Sequence, residues 1–269
     1  MYESAIRLIQ QTAIAANDNR QARMPEGTIA LPDNFRIHDL EQFGEGRRRY
    51  RGAFSTASLS DFVTHVIDNK GESQGFIDAE KLSATVFFNL GDTELPGHGD
   101  WTATLQLKAT AAYRALLGIN GKYLSQRELI EWLEDWHNNV TGFNGEDDTY
   151  ITASAAIEAI RKINIKSTKD STHVEQERRA SRSAMEEVEA SAGPSLPQRV
   201  SFQCEPYLGL PQRNFALRLS VLTSHEDPML VLRVAQLEEQ QEAIAKDFKE
   251  ALISEVGEAA SMTIGTFKP

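Results

Sequence analysis

Cysteine is almost absent from this sequence, which has one, Cys204, among 269 residues. A single thiol cannot form an internal disulfide, and no group of cysteines and histidines has the spacing of a structural zinc site. Cys204 lies in a strand-like pattern with no histidine beside it, which indicates a buried structural thiol and not a nucleophile. We therefore expect a reducing, cytoplasmic setting.

Long apolar runs are also absent. No segment reaches the 18 or more apolar residues that predict a membrane span. The opening stretch "MYESAIRLIQQTAIAAN" contains Glu3, Gln10 and Gln11, where a secretory signal needs a basic start and an unbroken apolar run. These absences predict a protein without a membrane partner.

Motifs of the common enzyme classes are missing as well. The sequence has no G-x-S-x-G elbow, no glycine-rich phosphate loop after a strand, and no H-E-x-x-H, EF-hand or Walker motif. In "PGHGDW", His98 and Asp100 stand between glycines, but two ligands do not complete a metal site, and a turn with a surface histidine is favoured. The sequence therefore predicts no catalytic residues, no metal and no cofactor, and it favours a protein that acts by binding.

Positively charged residues are fewer than negatively charged ones, but several of them are adjacent in the sequence. The chain has 28 Lys and Arg against 39 Asp and Glu, a formal net charge of −11. The stretch "GEGRRRYRGAFST" nevertheless holds an arginine cluster, which we define as Arg47, Arg48, Arg49, Tyr50 and Arg51. Guanidinium groups bind phosphates bidentately and a tyrosine ring stacks on a base, so the cluster is a candidate nucleic-acid site. A solvated loop, or pairing with the protein's own carboxylates or a neighbouring subunit, is the alternative and stays open.

Three more arginines occur in the C-terminal strand patterns. Arg213 precedes a strand, Arg218 lies on its polar face, and Arg233 lies in the next strand pattern, "PMLVLRVA". If the two strands pair as a hairpin, Arg218 and Arg233 share one sheet face, like the platforms that bind single-stranded nucleic acid. An ordinary solvated sheet face is the alternative.

Periodicity predicts an α+β fold, with an antiparallel β-meander, helices packed on one face and an N-terminal helical arm. We expect four regions: a helix and flexible arm over 1–33, an α+β region over 34–163, a charged arm or linker over 164–198, and a meander with a C-terminal helix and final strand over 199–269. The last region is expected to pack with 34–163 as one domain.

Several elements are specific enough to be checked. Residues 2–16 have helical spacing, and "SATVFFNL" and "WTATLQLK" indicate a hairpin. Ser125 and Glu128 form a capping box that begins a helix, while Gly118 is expected to end the preceding one. A polar loop is expected at "TGFNGEDD", and a helix with an apolar stripe between Leu237 and Val256.

A family resemblance rests on three stretches: "HGDWTATLQLKATAAYRALLGINGKYLSQRELIEWLEDW", "FQCEPYLGLPQRNFALRLSVL" and the closing "IGTFKP". They are similar to the YfdQ-like family of phage and prophage proteins, and the likeness covers most of the chain from about residue 35 onward. The resemblance implies a protein of phage origin in the bacterial host cell. Because the family's function is undetermined, it supplies no catalytic residues.

These observations predict a non-enzymatic, self-associating phage accessory protein that acts by binding, with single-stranded DNA or a nucleic-acid complex in recombination or replication as its partner. Two alternatives stay open. An acidic inhibitor of a host defence or repair enzyme would use Glu131, Glu134 and Asp135 on one helix face. An assembly protein would act through its homo-oligomer, with the N-terminal helix and residues 164–198 as intersubunit arms.

Overall fold

The chain divides into two units, Met1–Tyr50 and Arg51–Pro269. The computed structural model describes residues 2–21, 41, 44–145, 149–163, 196–222 and 229–269. In the first unit, helix α1 spans Tyr2–Gln21, so the helix predicted over 2–16 is confirmed and is longer than predicted. The tether predicted after this helix, and the charged arm up to residue 195, lie outside the described residues.

The first sheet of the second unit is mixed. Its order is β1-β4-β3-β2-β11, with β3 antiparallel to both neighbours and each edge strand parallel to its neighbour. The strands are β1 Gly52–Thr56, β2 Gln74–Asp78, β3 Ser83–Phe87, β4 Trp101–Gln106 and β11 Ser261–Ile264. The predicted hairpin is confirmed as β3 and β4, and it buries Ala103 and Leu105, which alternate with threonines.

The second sheet is antiparallel and has the order β5-β10-β9-β8-β6-β7. Its strands are β5 Tyr123–Leu124, β6 Val140–Asn144, β7 Tyr150–Ile151, β8 Arg199–Cys204, β9 Arg213–Leu222 and β10 Met229–Val234. The predicted meander is confirmed as β8, β9 and β10. The polar loop predicted at "TGFNGEDD" is wrong at its start, because strand β6 reaches Asn144 by pairing with β8, a distant partner that a local turn signal does not reveal.

The remaining helices are α2 Leu59–Asp68, α3 Ala111–Ile119, α4 Gln126–Asp135, α5 Ala153–Lys162 and α6 Leu237–Val256. The capping box of α4 is confirmed, with both of its reciprocal hydrogen bonds present. Gly118 does not end α3, since the helix continues to Ile119 and Asn120 caps it. In the described part of the chain, no helix has the length and apolar character needed to cross a membrane.

One continuous core joins both sheets of the second unit with helices α2 to α6. Phe62, Phe202, Phe215 and Phe248 are fully buried in it. The α+β class is confirmed, but the final strand does not extend the meander. Helix α6 has 20 residues, about 30 Å at 1.5 Å each, and this length carries the chain to the other sheet, where β11 pairs with β2.

Candidate nucleic-acid interface

The arginine cluster spans the boundary between the two units, with Tyr50 ending the first and Arg51 beginning the second. In the first unit, Arg47, Arg48 and Tyr50 are exposed, and the backbone N–H of Arg48 donates to the Glu41 carboxylate at 3.0 Å. In the second, Arg51 directly precedes β1. None of Arg47, Arg49, Tyr50 and Arg51 is without a partner.

Arg213 lies at the start of β9 and connects this strand to helix α6. One Nη of its guanidinium donates to the Asp247 carboxylate at 2.6 Å, and the other donates to the Gln240 side chain at 3.2 Å. The side chains of Arg213 and Asp247 are only 19% and 26% exposed. Arg213 therefore stabilises the contact between strand and helix through both of its Nη atoms, while its buried Nε has no hydrogen-bond partner among the described residues.

Replacing Arg213 with alanine is expected to lower the free energy of unfolding by about 1–3 kcal/mol, because Asp247 would keep its partly buried charge without a partner. Urea unfolding followed by circular dichroism measures the loss. Arg218→Ala is the matched control: its side chain is exposed on the same strand, so the change should stay within about 0.5 kcal/mol. Equal effects of the two variants would contradict the structural role of Arg213.

Three other arginines form a transverse row on the second sheet, which we call the arginine row: Arg199, Arg218 and Arg233. Arg218 on β9 is directly opposite Arg199 on β8 and Arg233 on β10. Directly opposed residues in antiparallel strands point to one face, and all three side chains are exposed. The expectation that Arg218 and Arg233 share a sheet face is therefore confirmed.

The electrostatics of the arginine row are unusual for such an acidic protein. Like charges directly opposite on neighbouring strands destabilise a sheet. None of the chain's 39 acidic residues lies in β8, β9 or β10, and neither Arg218 nor Arg233 makes an ion pair with a residue in the described ranges. Arg199, in contrast, has an interaction partner in the free protein. A bound polyanion would relieve this repulsion, because each guanidinium presents a fork of N–H donors that suits phosphate oxygens.

Two further residues extend the row, and sequence reasoning missed both. Asn144 on β6 is opposite Arg199, and Tyr150 on β7 is opposite Asn144. The Tyr150 side chain is 71% exposed. Five side chains on five adjacent strands thus share one face, over about 19 Å at the usual strand spacing. The sequence offered a signal for Arg199, which alternates with buried Val200, but none for Tyr150, whose strand has two residues.

Tyr113 and Tyr207 line a cleft of about 350 Å³. Burial raises the pKa of both phenols, and burial also raises the pKa of the Cys204 thiol from 9.0 to about 11. A raised pKa keeps all three groups protonated at neutral pH. The burial predicted for Cys204 is confirmed, since the residue is 2% exposed.

His98 and Asp100 do not form a metal site in the described ranges, where no group of three potential ligands occurs. His98 is exposed, and Asp100 accepts a hydrogen bond from the Asn89 amide at 2.9 Å. The backbone N–H of Gly52 donates to the carbonyl of Asp100 at 3.0 Å. Asp100 therefore fixes the β3–β4 loop against the start of β1.

The acidic face of α4 is partly neutralised. Glu131 pairs with Arg127 at 2.7 Å, and Glu134 pairs with Arg161 at 3.4 Å. These surface pairs contribute little to stability, but they leave fewer unopposed carboxylates to imitate a nucleic acid. The arginine row is therefore the stronger of the two candidate surfaces.

A family model described as "Uncharacterized conserved protein (DUF2303)" matches residues 2–267. Searches of the curated proteins and of the solved structures returned no significant match.

Proposed function

Because the chain belongs to the DUF2303 family of uncharacterized conserved proteins, we propose its function from the arginine row and not from a relative's activity. The protein binds nucleic acid, above all single-stranded DNA, and catalyses no reaction on it. The arginine row is the principal contact surface, and the direct opposition of its three arginine residues across neighbouring strands is the observation that supports the proposal.

The positive charge of this face destabilises the free protein and favours a bound anion. Arg218 has an arginine directly opposite it on each neighbouring strand, and like charges opposed in this way repel one another, although Arg199 also has an interaction partner in the free protein. When a phosphate backbone binds, the same positive charge becomes stabilising, because charge-assisted hydrogen bonds form and condensed counterions are released. The acidic remainder of the molecule restricts contact to the face where positive charge is concentrated.

The arginine cluster is proposed as a second contact region. Its residues have partners in the free protein, so phosphate contact would require those partners to be exchanged. The wider role, a self-associating phage accessory protein in recombination or replication in the host cytoplasm, is proposed from the YfdQ-like resemblance of His98–Trp136, Phe202–Leu222 and the closing "IGTFKP".

Fluorescence anisotropy of a labelled single-stranded oligonucleotide tests the proposal. Each phosphate contact contributes about −0.7 to the slope of log affinity against log salt, so the arginine row alone should contribute about −2. Affinity should therefore fall more than tenfold between about 50 and 200 mM salt. A variant with Arg47, Arg48, Arg49 and Arg51 changed to alanine measures the separate contribution of the cluster.

Absent or salt-insensitive binding would overturn the proposal. The search would then turn to protein partners, with the acidic helix faces as the first surface to test. If the cluster variant lost the whole salt dependence, the cluster would replace the arginine row as the contact surface.

A further inference from the structure

A second transverse row lies beside the arginine row on the same face of the second sheet, and its side chains are small. Gly142 is opposite Ser201, Ser201 is opposite Ala216, and Ala235 donates its backbone N–H to the carbonyl of Ala216. We call these four residues the small-residue row: Gly142, Ser201, Ala216 and Ala235. It is displaced from the arginine row by two residues along each strand, about 7 Å.

The ring of Tyr150 borders one end of the small-residue row. A Cβ placed on Gly142 would lie 3.9 Å from Cε2 of Tyr150, so the ring leans over the glycine in ordinary van der Waals contact. The same ring is 71% exposed, so most of its surface faces solvent. An exposed aromatic ring therefore stands at the end of a shallow trough with arginines along one side.

From this arrangement we infer that Tyr150 is a base-stacking residue and that the small-residue row is where the bases of a bound single strand lie. The strand crosses the sheet perpendicular to the β-strands, with phosphates on the arginine row. Bases have flat faces and need unobstructed space beside the phosphates, which glycine, serine and alanine leave open. A duplex buries its base faces, so a stacking site of this kind selects single strands. This inference rests on the proposed function and assigns the side of the arginine row that the bases occupy.

The opposite side of the arginine row offers a comparison within the same sheet. Tyr123 on β5 is opposite Val231, which is opposite Ser220, so these residues form the row on the other side of the arginines. Tyr123 is 61% exposed, nearly as much as Tyr150. Its row contains Val231, which is only 3% exposed, so no open trough for bases lies on that side of the arginine row.

The test compares Tyr150→Ala, Tyr150→Phe and Tyr123→Ala in anisotropy competition with two ligands, a single-stranded oligonucleotide and inorganic polyphosphate, which has charge but no bases. Tyr150→Ala should weaken oligonucleotide binding about tenfold and leave polyphosphate binding within twofold of the unchanged protein. Tyr150→Phe should retain the affinity, because stacking needs the ring and not the hydroxyl. Tyr123→Ala should bind both ligands as the unchanged protein does.

A second variant, Ala216→Leu, fills the trough and keeps Tyr150. Because Ala216 is exposed, the larger side chain is accommodated without a change in the core, and it should also weaken oligonucleotide binding selectively. Equal losses for both ligands, no loss in Tyr150→Ala, or a loss confined to Tyr123→Ala would overturn the inference while leaving the proposed function intact. If the unchanged protein bound neither the oligonucleotide nor polyphosphate, the proposed function and this inference would both be overturned.

Discussion

Changing Arg199, Arg218 and Arg233 together to glutamate is expected to weaken single-stranded DNA binding by roughly a thousandfold or more at low salt. Each exchange removes a charge-assisted hydrogen bond and places a carboxylate where a phosphate would lie. The slope of log affinity against log salt should become less steep by about 2 units. Anisotropy titrations at several salt concentrations measure both quantities.

This variant should fold like the unchanged protein. The three side chains are exposed, and glutamates at opposed positions reproduce the like-charge repulsion of the arginines, so the change should cost only the interaction that Arg199 makes in the free protein. Loss of binding would therefore not be a consequence of unfolding, and urea unfolding checks this directly.

A matched control changes three exposed cations elsewhere, Arg127, Lys162 and Lys246, to glutamate. Their side chains are at least 62% exposed, and each pairs with a glutamate on its own helix. The control alters the net charge by the same amount, so it isolates the effect of position from that of total charge. Similar losses in both triple variants would mean that binding depends on net charge, and the arginine row would lose its assignment.

The predictable parts of this fold are those whose signal is local. The β3–β4 hairpin, the capping box at Ser125 and the apolar stripe of α6 each follow from residues within a few turns of one another. Two of the strands that the sequence did not predict depend on distant partners: β1 pairs with β4, and β6 with β8. Strand β2 was not predicted either, although its partner β3 is near in sequence, because Gly75 and Asp78 are residue types that are rare in strands. Strand β11 was predicted, but its place in the first sheet was not, because its four residues do not specify which sheet they join.

The residues of the candidate site likewise divide into those that local sequence predicts and those that depend on distant partners. Arg218 and Arg233 were placed on one face because period-2 alternation within each strand fixes the direction of the side chain. Their register, the third arginine at position 199 and the aromatic end at Tyr150 depend on which residues face each other across strands, and this is a property of the assembled sheet. The role of Arg213 also could not be predicted from the sequence, because Asp247 on α6, with which it pairs, is 34 residues away along the chain.

The second large effect concerns Phe202, which lies on the core side of the sheet that carries the arginine row. Phe202 lies on β8 between Ser201 and Gln203, which are half-buried, and its own side chain is fully buried. Its ring stacks on Trp132 at 5.4 Å between centroids and also contacts Trp136 at 6.4 Å. These contacts attach helix α4 to the strand that carries Arg199 and Ser201.

Phe202→Ala should lower the free energy of unfolding by about 3–5 kcal/mol, because the substitution removes a buried ring and leaves a cavity between a strand and a helix that are both held by other contacts. That is a large share of the roughly 5–15 kcal/mol that stabilises a typical domain. Phe202→Leu, which preserves most of the volume, should cost only about 1–1.5 kcal/mol. Urea unfolding followed by tryptophan fluorescence reports directly on the affected site, because Trp132 and Trp136 are the contacting rings.

The effect of Phe202→Ala on DNA binding shows whether Phe202 only supports the sheet or also affects how the sheet contacts DNA. Phe202 faces the core and cannot touch a ligand on the opposite face of β8, so the folded fraction of the variant should bind with the affinity of the unchanged protein. At low temperature, where most molecules are folded, only the concentration of binding-competent protein should fall. A weaker affinity per folded molecule, with the arginine row intact, would mean that the register of β8 against β9 depends on this ring, and that the opposition of Arg199 and Arg218 is maintained from the core side of the sheet.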